Sequence, residues 1–184
     1  AMTIREVLIN IRERLQNAGI EDFEYESWAF LDWKLHIDRA EFYMNPNGEV
    51  KEELLAELES VLKQREQRVP LQYLMGECEF MGYDFYVDER VLIPRQDTEC
   101  LVELAVEDIR NRKTQNRCES NNTADQKNEQ KVKVLDLCTG SGCIGISVAK
   151  LCPDTEVTLA DISEGALSVA KKNAQNLDAG VTLI

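Results

Sequence analysis

The 184-residue sequence is poor in the residues that build metal sites. It has a single histidine, His36, and none of its six cysteines forms a Cys-x-x-Cys pair. Zinc sites need clusters of such ligands at short spacings, so the sequence predicts no metal site. Because nothing in the sequence indicates secretion, we interpret the cysteines as reduced thiols, most of them small buried hydrophobes.

Long apolar segments are also missing. No run approaches the roughly 20 apolar residues that a bilayer-crossing helix needs, and no charged-then-apolar signal peptide opens the chain. The hydrophobic fraction of 43% and the charged fraction of 30% are ordinary for a globular protein. These features predict a cytoplasmic protein without a membrane partner.

Basic residues are scarce as well. The formal net charge is −13, and residues 1–76 carry 9 Lys/Arg against 15 Asp/Glu, a net charge of −6. Proteins that grip a phosphate backbone usually present a basic face. We therefore expect no direct nucleic-acid binding, although a local basic patch is compatible with an acidic average.

Helical periodicity dominates the front of the sequence. Thr3 and Glu6 have the spacing of a capping box at the start of a first helix that ends near Gly19. Apolar spacing predicts a second helix from about residue 22 to 35, a short third helix after Asp38, and a fourth ending before Pro70. The prediction is a helical module to about Leu74, with no strand in the first 70 residues.

The period changes near Cys78. Alternating apolar residues around Met81-Gly82 predict a β-hairpin, and helical spacing returns from about residue 98 to 110. Residues 111–131 are almost entirely polar, so they bury too little apolar surface to offset the entropy of ordering. They are predicted to form a flexible loop.

The last third of the sequence has the order strand, glycine turn, helix, strand, acidic residue. Gly140 and Gly142 follow an apolar strand at residues 132–137 and open a helix, where free N–H groups can face a ligand. Asp161 ends the next strand, where a carboxylate can accept both hydroxyls of an adenosine ribose. This arrangement predicts a nucleotide site.

Each element of this pattern also has a simpler interpretation. A turn with two glycines is often only a tight connection, and an aspartate like Asp161 more often caps the following helix. Gly140, Gly142 and Gly145 match the Gly-x-Gly-x-x-Gly dinucleotide fingerprint, so the pattern by itself does not separate a dinucleotide from S-adenosylmethionine.

Three motifs carry a resemblance to a known family. Residues 136–144 read Asp-Leu-Cys-Thr-Gly-Ser-Gly-Cys-Ile, residues 91–99 read Val-Leu-Ile-Pro-Arg-Gln-Asp-Thr-Glu, and residues 70–76 read Pro-Leu-Gln-Tyr-Leu-Met-Gly, followed by Glu-Phe-Met-Gly at 79–82. Together they resemble the peptide-chain release factor glutamine methyltransferases of the PrmC/HemK family, in family order and across essentially the whole chain.

The resemblance implies a fold in three parts. Residues 1–76 would form a helical bundle that recognises the release factor, and residues 77–93 a β-hairpin linker. Residues 94–184 would form the first part of a Rossmann-like, class I S-adenosylmethionine-dependent methyltransferase domain. The fold class is thus α followed by α/β.

The resemblance also implies a reaction and a site. Such enzymes transfer a methyl group from S-adenosylmethionine to the side-chain amide nitrogen of the glutamine in the Gly-Gly-Gln loop of release factors. The implied cofactor-binding residues are Cys138, Thr139, Gly140, Ser141 and Gly142, which hold the methionine part, and Asp161, which holds the ribose. Residues 95–99 would shape the edge of the pocket or, equally, start a helix and pack.

The sequence departs from the family in two places. The family's Asn-Pro-Pro-Tyr motif, which holds the acceptor amide, is not found in residues 1–184. We therefore assign no catalytic residue and interpret the chain as truncated and inactive alone. Cys138 also stands where a glycine is frequent.

Two other functions remain open from the sequence. One is an adenine-N6 nucleic-acid methyltransferase, which shares the fold and the missing motif. The other is a non-catalytic release-factor-binding module.

Overall fold

The computed structural model describes residues 2–120 and 131–184, excepting the side chains of residues 115–120. The chain divides into two compact units, Ala1–Met75 and Gly76–Ile184. No helix in the described ranges combines the length and apolar character needed to cross a membrane.

The first unit is helical, as its periodicity predicted. Its elements are β1 (Met2–Thr3), α1 (Ile4–Asn17), α2 (Phe23–Leu35), α3 (Arg39–Met44), β2 (Glu49–Val50), α4 (Glu52–Glu66) and α5 (Leu71–Met75). The capping box is confirmed, because the Thr3 hydroxyl accepts from the Glu6 N–H and Glu6 Oε2 accepts from the Thr3 N–H. Ile11, Leu15, Phe30 and Leu31 are fully buried in the core.

The prediction of no strand in the first 70 residues is wrong. Strands β1 and β2 form a short antiparallel pair, with Met2 opposite Val50 and Thr3 opposite Glu49. The pair brings the start of α1 beside the turn before α4, where the Ile4 N–H donates to the Gly48 carbonyl at 2.9 Å. Two-residue strands are too short to produce the alternation from which strands are predicted.

Ion pairs join the helices of the first unit. Arg65 on α4 makes two hydrogen bonds to the Glu26 carboxylate on α2, at 2.7 and 3.0 Å, and both side chains are largely buried. Arg14 on α1 bonds both Glu59 and Glu66 on α4 and lowers the pKa of both carboxyls. These bidentate contacts fix α4 against its two neighbours.

In its described residues, the second unit combines a hairpin, three α-helices and a parallel sheet. Its elements are β3 (Glu77–Phe80), β4 (Tyr83–Tyr86), α6 (Glu99–Ser120), β5 (Val132–Leu137), α7 (Cys143–Leu151), β6 (Thr155–Ala160), α8 (Glu164–Asn176) and β7 (Val181–Leu183). A 3₁₀ turn, Gln96–Thr98, precedes α6. Strands β3 and β4 form the predicted antiparallel hairpin. Strands β5, β6 and β7 pair in that order, all parallel. The predicted architecture, a helical region followed by an α/β unit with a parallel sheet, is confirmed.

One core cluster holds the second unit together. Val102 and Val106 of α6, Ile146 of α7, Leu159 of β6 and Ala170 of α8 all belong to it. The hairpin contributes Phe80 and Phe85, whose rings meet edge to face with centroids 6.1 Å apart. The hairpin is therefore part of the same packed unit as the sheet.

The flexible loop predicted for residues 111–131 is wrong for residues 111–120, which continue α6 to Ser120. Residues 121–130 lie outside the described residues. One ion pair supports the part of α6 just past residue 111: Arg112 pairs with Asp108 one turn earlier at 2.7 Å. Pairs four residues apart support an exposed helix without burying apolar surface.

Candidate functional site

The turn after β5 has an unusual backbone. Cys138, Gly140 and Gly142 all have positive φ angles, of 61°, 56° and 82°. Glycine adopts this region freely, whereas Cys138 is held there at a cost. No atom lies within 4 Å of the place where a Cβ on Gly140 would stand, so the turn leaves open space at that residue.

Asp136, at the end of β5, fixes the turn from beneath. Its buried Oδ2 accepts from the Thr139 hydroxyl at 2.7 Å and from the Gly145 N–H at 2.9 Å. One carboxylate oxygen thus joins the turn to the first turn of α7. In the sequence, Asp136 is recognisable only as part of a motif, and its role becomes visible in these contacts.

Gly145 allows α7 to pack closely on the sheet. A Cβ at this position would overlap the Leu159 side chain of β6 and come within 3.0 Å of Asp136 Cβ. This matches the physical role of the third glycine in the fingerprint, which permits close helix–strand packing. The glycine spacing alone does not establish this role.

Asp161 directly follows β6 and is partly exposed. Its Oδ2 accepts from the Gly140 N–H and its Oδ1 from the Ser163 N–H, both at 2.9 Å. The capping residue of α8 is Ser163, whose hydroxyl accepts from the Ala166 N–H. The structure therefore brings Asp161 to the glycine turn, and the simpler interpretation as the helix cap is not what the contacts show.

A side chain of α8, that of Asn173, also bonds the turn. Asn173 is fully buried, and its Nδ2 donates to the Ser141 carbonyl and to the Tyr86 carbonyl, each at 2.9 Å. Its Oδ1 accepts from the Tyr86 N–H at 2.7 Å. Sequence reasoning missed Asn173, because an asparagine within a helix carries no signal of such contacts.

The cysteines near the turn differ in environment. Cys143 opens α7, and its burial raises the pKa of the thiol to about 11. That thiol stays protonated at neutral pH and is no nucleophile. Cys138, in contrast, is exposed beside Gly140.

Of residues 95–99, Glu99 has a defined contact with the hairpin. Its Oε1 accepts from the N–H of Met81 at 2.7 Å. Met81 has a φ of 53°, so this bond supports a strained position in the hairpin turn. The contact fits a packing role at the start of α6.

Two family models match the chain. The PrmC N-terminal domain matches residues 6–76, and the methyltransferase small domain matches residues 122–184.

Two solved structures with partial similarity to the chain are methyltransferases. A tRNA (uracil-54, C5)-methyltransferase from Pyrococcus abyssi, in complex with S-adenosyl-L-homocysteine, has a TM-score of 0.42 at 17% identity over 59% of this chain and 22% of that one. An S-adenosylmethionine-dependent methyltransferase from Agrobacterium tumefaciens has a TM-score of 0.41 at 18% identity, over 59% and 31%. At these TM-scores the similarity supports no conclusion about the chain.

Relatives align along nearly the whole chain. The release factor glutamine methyltransferase of Clostridium acetobutylicum is 38% identical over 177 residues, covering 96% of this chain and 56% of the relative. That of Geobacter sulfurreducens is 36% identical, over 98% and 57%. The chain thus spans little more than half the length of these relatives. The chain combines a PrmC N-terminal domain at residues 6–76 with a methyltransferase small domain at residues 122–184.

Proposed function

We propose that the chain is part of an S-adenosylmethionine-dependent enzyme that methylates the side-chain amide nitrogen of glutamine in the Gly-Gly-Gln loop of peptide-chain release factors. The observation that carries the proposal is the junction of the glycine turn with Asp161, in a chain whose relatives are named release factor glutamine methyltransferases. The enzyme would act in the cytoplasm, where release factors work.

The turn has the chemistry to hold S-adenosylmethionine. The space left open at Gly140 lets a ligand approach the backbone closely. The N-terminal end of α7, just beyond Gly142, carries partial positive charge that favours the carboxylate of the methionine part. The cofactor would supply the methyl group on its positively charged sulfur, while residues 138–142 hold and orient its methionine part.

Asp161 has the capacity to hold the ribose. An ionised carboxylate offers about four lone-pair sites, and the two backbone N–H groups occupy two of them. The sites that remain can accept the two ribose hydroxyls. Ile162, next in the chain, has a fully exposed side chain and offers an apolar surface for the adenine ring.

The acceptor half of the site lies outside the present sequence in our proposal. An amide nitrogen is a poor nucleophile, so its transfer reaction depends on in-line positioning and on hydrogen bonds to its N–H groups. The family's Asn-Pro-Pro-Tyr motif would provide these, and residues 1–184 do not contain it. We assign this chain the donor half-site alone.

The parts of the chain receive separate roles. Residues 1–76 would contact the release factor, residues 77–93 would link the two domains, and residues 94–184 would bind the cofactor. Residues 95–99 would form the edge of the cofactor pocket, next to the hairpin that Glu99 supports. The acidic charge of the front domain disfavours nucleic acid as an alternative substrate.

The test is transfer of a labelled methyl group from S-adenosylmethionine by the extended protein, that is, the chain carried on to the length of its relatives. Purified release factor and duplex DNA containing adenine are the two acceptors. We expect label in the release factor, lost when the glutamine of its Gly-Gly-Gln loop is replaced by alanine. Label in DNA alone would favour the adenine methyltransferase, and label in neither, with tight release-factor binding, would favour a binding module.

A further inference from the structure

We infer that Asn173 is a positioning residue for the cofactor turn, residues 138–142. Its amide fixes the position of this turn relative to the hairpin. This inference rests on the proposed function. Asn173 lies in the third turn of α8, far along the chain from both partners. Its amide joins Ser141, in the middle of the turn, to Tyr86, the last residue of β4.

The geometry uses almost the full bonding capacity of the amide. Both Nδ2 hydrogens are donated to carbonyl oxygens, and Oδ1 accepts from a backbone N–H. The opposite orientation of the amide would place Oδ1 against two carbonyl oxygens, so the contacts define which atom is which. The side chain has no exposed surface, and water therefore cannot replace a lost bond.

Asn173 also completes the edge of the hairpin. Tyr86 pairs with Glu77 in the hairpin, and both its N–H and its carbonyl bond the Asn173 amide. The amide thus takes the position that a neighbouring strand would have. Because the same Nδ2 bonds Ser141, a shift of the hairpin is transmitted directly to the turn.

Asn173 and Asp161 bond the turn from different sides. Asp161 bonds the Gly140 N–H from the side where the ribose would lie. Asn173 bonds the Ser141 carbonyl from inside the core, where no ligand reaches, since Ser141 is itself buried. Asn173 thus acts on the cofactor through the turn.

The experiment compares Asn173→Asp with Asn176→Asp in the extended protein. Both changes are on α8 and have the same chemistry, but Asn176 is exposed. Asn173→Asp replaces the double donor by a carboxylate that faces two carbonyl oxygens. Asn173→Ser, which keeps one donor, is the milder variant should the first fail to fold. The readouts are S-adenosylmethionine affinity by calorimetry, KM and kcat for methyl transfer, and hydrogen exchange of the cofactor-free protein.

We expect the Asn173 variants to bind S-adenosylmethionine roughly tenfold or more weakly, because buried partners lose their bonds. The cofactor KM should rise in parallel, with kcat at saturating cofactor and the release-factor KM nearly unchanged. Hydrogen exchange should quicken at residues 139–142 and at Tyr86, and not across the unit. Asn176→Asp should leave all of these readouts unchanged.

Two results would overturn the inference. A lower melting temperature with unchanged affinity and KM would reduce Asn173 to a stabilising residue. Faster exchange throughout the second unit would mean the same. Failure of the unaltered protein to bind S-adenosylmethionine would instead reject the proposed function and, with it, the role of Asn173 toward the cofactor.

Discussion

The two units use polar side chains for different purposes. In the first unit, Arg65 with Glu26 and Arg14 with its two glutamates join one helix to another. In the second unit, Asp136, Asp161 and Asn173 bond the glycine turn and the start of α7, within residues 139–145. The first arrangement fixes helix packing, whereas the second fixes the shape of a loop.

The backbone differs in the same sense. Three of the five residues from Cys138 to Gly142 have positive φ angles. Gly140 and Gly142 adopt this region freely, whereas the left-handed backbone of Cys138 is costly and persists only where the surroundings impose it. The comparison indicates that a disturbed first unit should lose stability, and a disturbed second unit should lose ligand binding.

The largest effect is expected for the reaction itself. We expect the 184-residue chain to transfer no methyl group, although the extended protein does. Donor binding without an aligned acceptor gives up the proximity contribution, which is worth roughly 7–11 kcal/mol of the barrier. Equal amounts of both proteins should be assayed on the same release factor with labelled cofactor. Turnover by the short chain, free of longer enzyme, would place the acceptor site within residues 1–184.

The next effect concerns the first unit. Arg65→Met leaves the Glu26 carboxylate buried and unpaired, which should lower the free energy of unfolding by about 3–5 kcal/mol. Lys63→Met, on the same helix but 65% exposed, is the control and should change it by less than about 0.5 kcal/mol. Denaturant unfolding measures both.

A double variant tests whether the loss of stability comes from the unpaired Glu26 charge. Glu26→Leu in addition to Arg65→Met removes the buried charge and should restore most of the lost stability. S-adenosylmethionine affinity should be the same in all these variants. A loss of affinity in the folded Arg65→Met protein would break the separation between the two units.

A smaller effect is expected at Gly145. Gly145→Ala forces a Cβ into the buried Leu159 side chain, so either Leu159 must shift or α7 must move off the sheet, at a cost of about 1–3 kcal/mol. Gly180→Ala is the matched control, because no atom lies within 4 Å of its Cβ position. Thermal unfolding should separate the two variants, and equal melting temperatures would show that α7 does not need the close approach.

Apolar periodicity in the sequence predicted the longer helices and strands, but it did not reveal elements too short to show a period. The helices of the first unit and the strands around Asp161 follow from apolar spacing, which many residues share. The two-residue strands β1 and β2 and the five-residue α5 are too short to produce a period. The far end of α6 was missed because only burial was considered, whereas pairs such as Asp108 with Arg112 also support a helix.

The candidate site was predicted to the same extent. Glycine spacing and Asp161 pointed to the turn, because the two features together, at this spacing, are typical of a nucleotide site. The bonds of Asn173 depend on tertiary packing between α8, β4 and the turn, and no local pattern encodes them. The supports of a site are therefore harder to predict from sequence than its contact residues.

Asp161→Ala tests whether Asp161 and the glycine turn form one cofactor site. Asp154→Ala is the control, since Asp154 precedes β6 at the opposite end of the strand and its side chain is 81% exposed. Calorimetry on the extended protein would measure S-adenosylmethionine affinity, with melting curves to confirm folding.

We expect at least a tenfold loss of affinity for Asp161→Ala, because two hydrogen bonds to a charged group are lost, each worth roughly 1.5–3 kcal/mol. Asp154→Ala should bind as the unaltered protein does. Unchanged affinity in a folded Asp161→Ala protein would show that Asp161 is not part of the cofactor site.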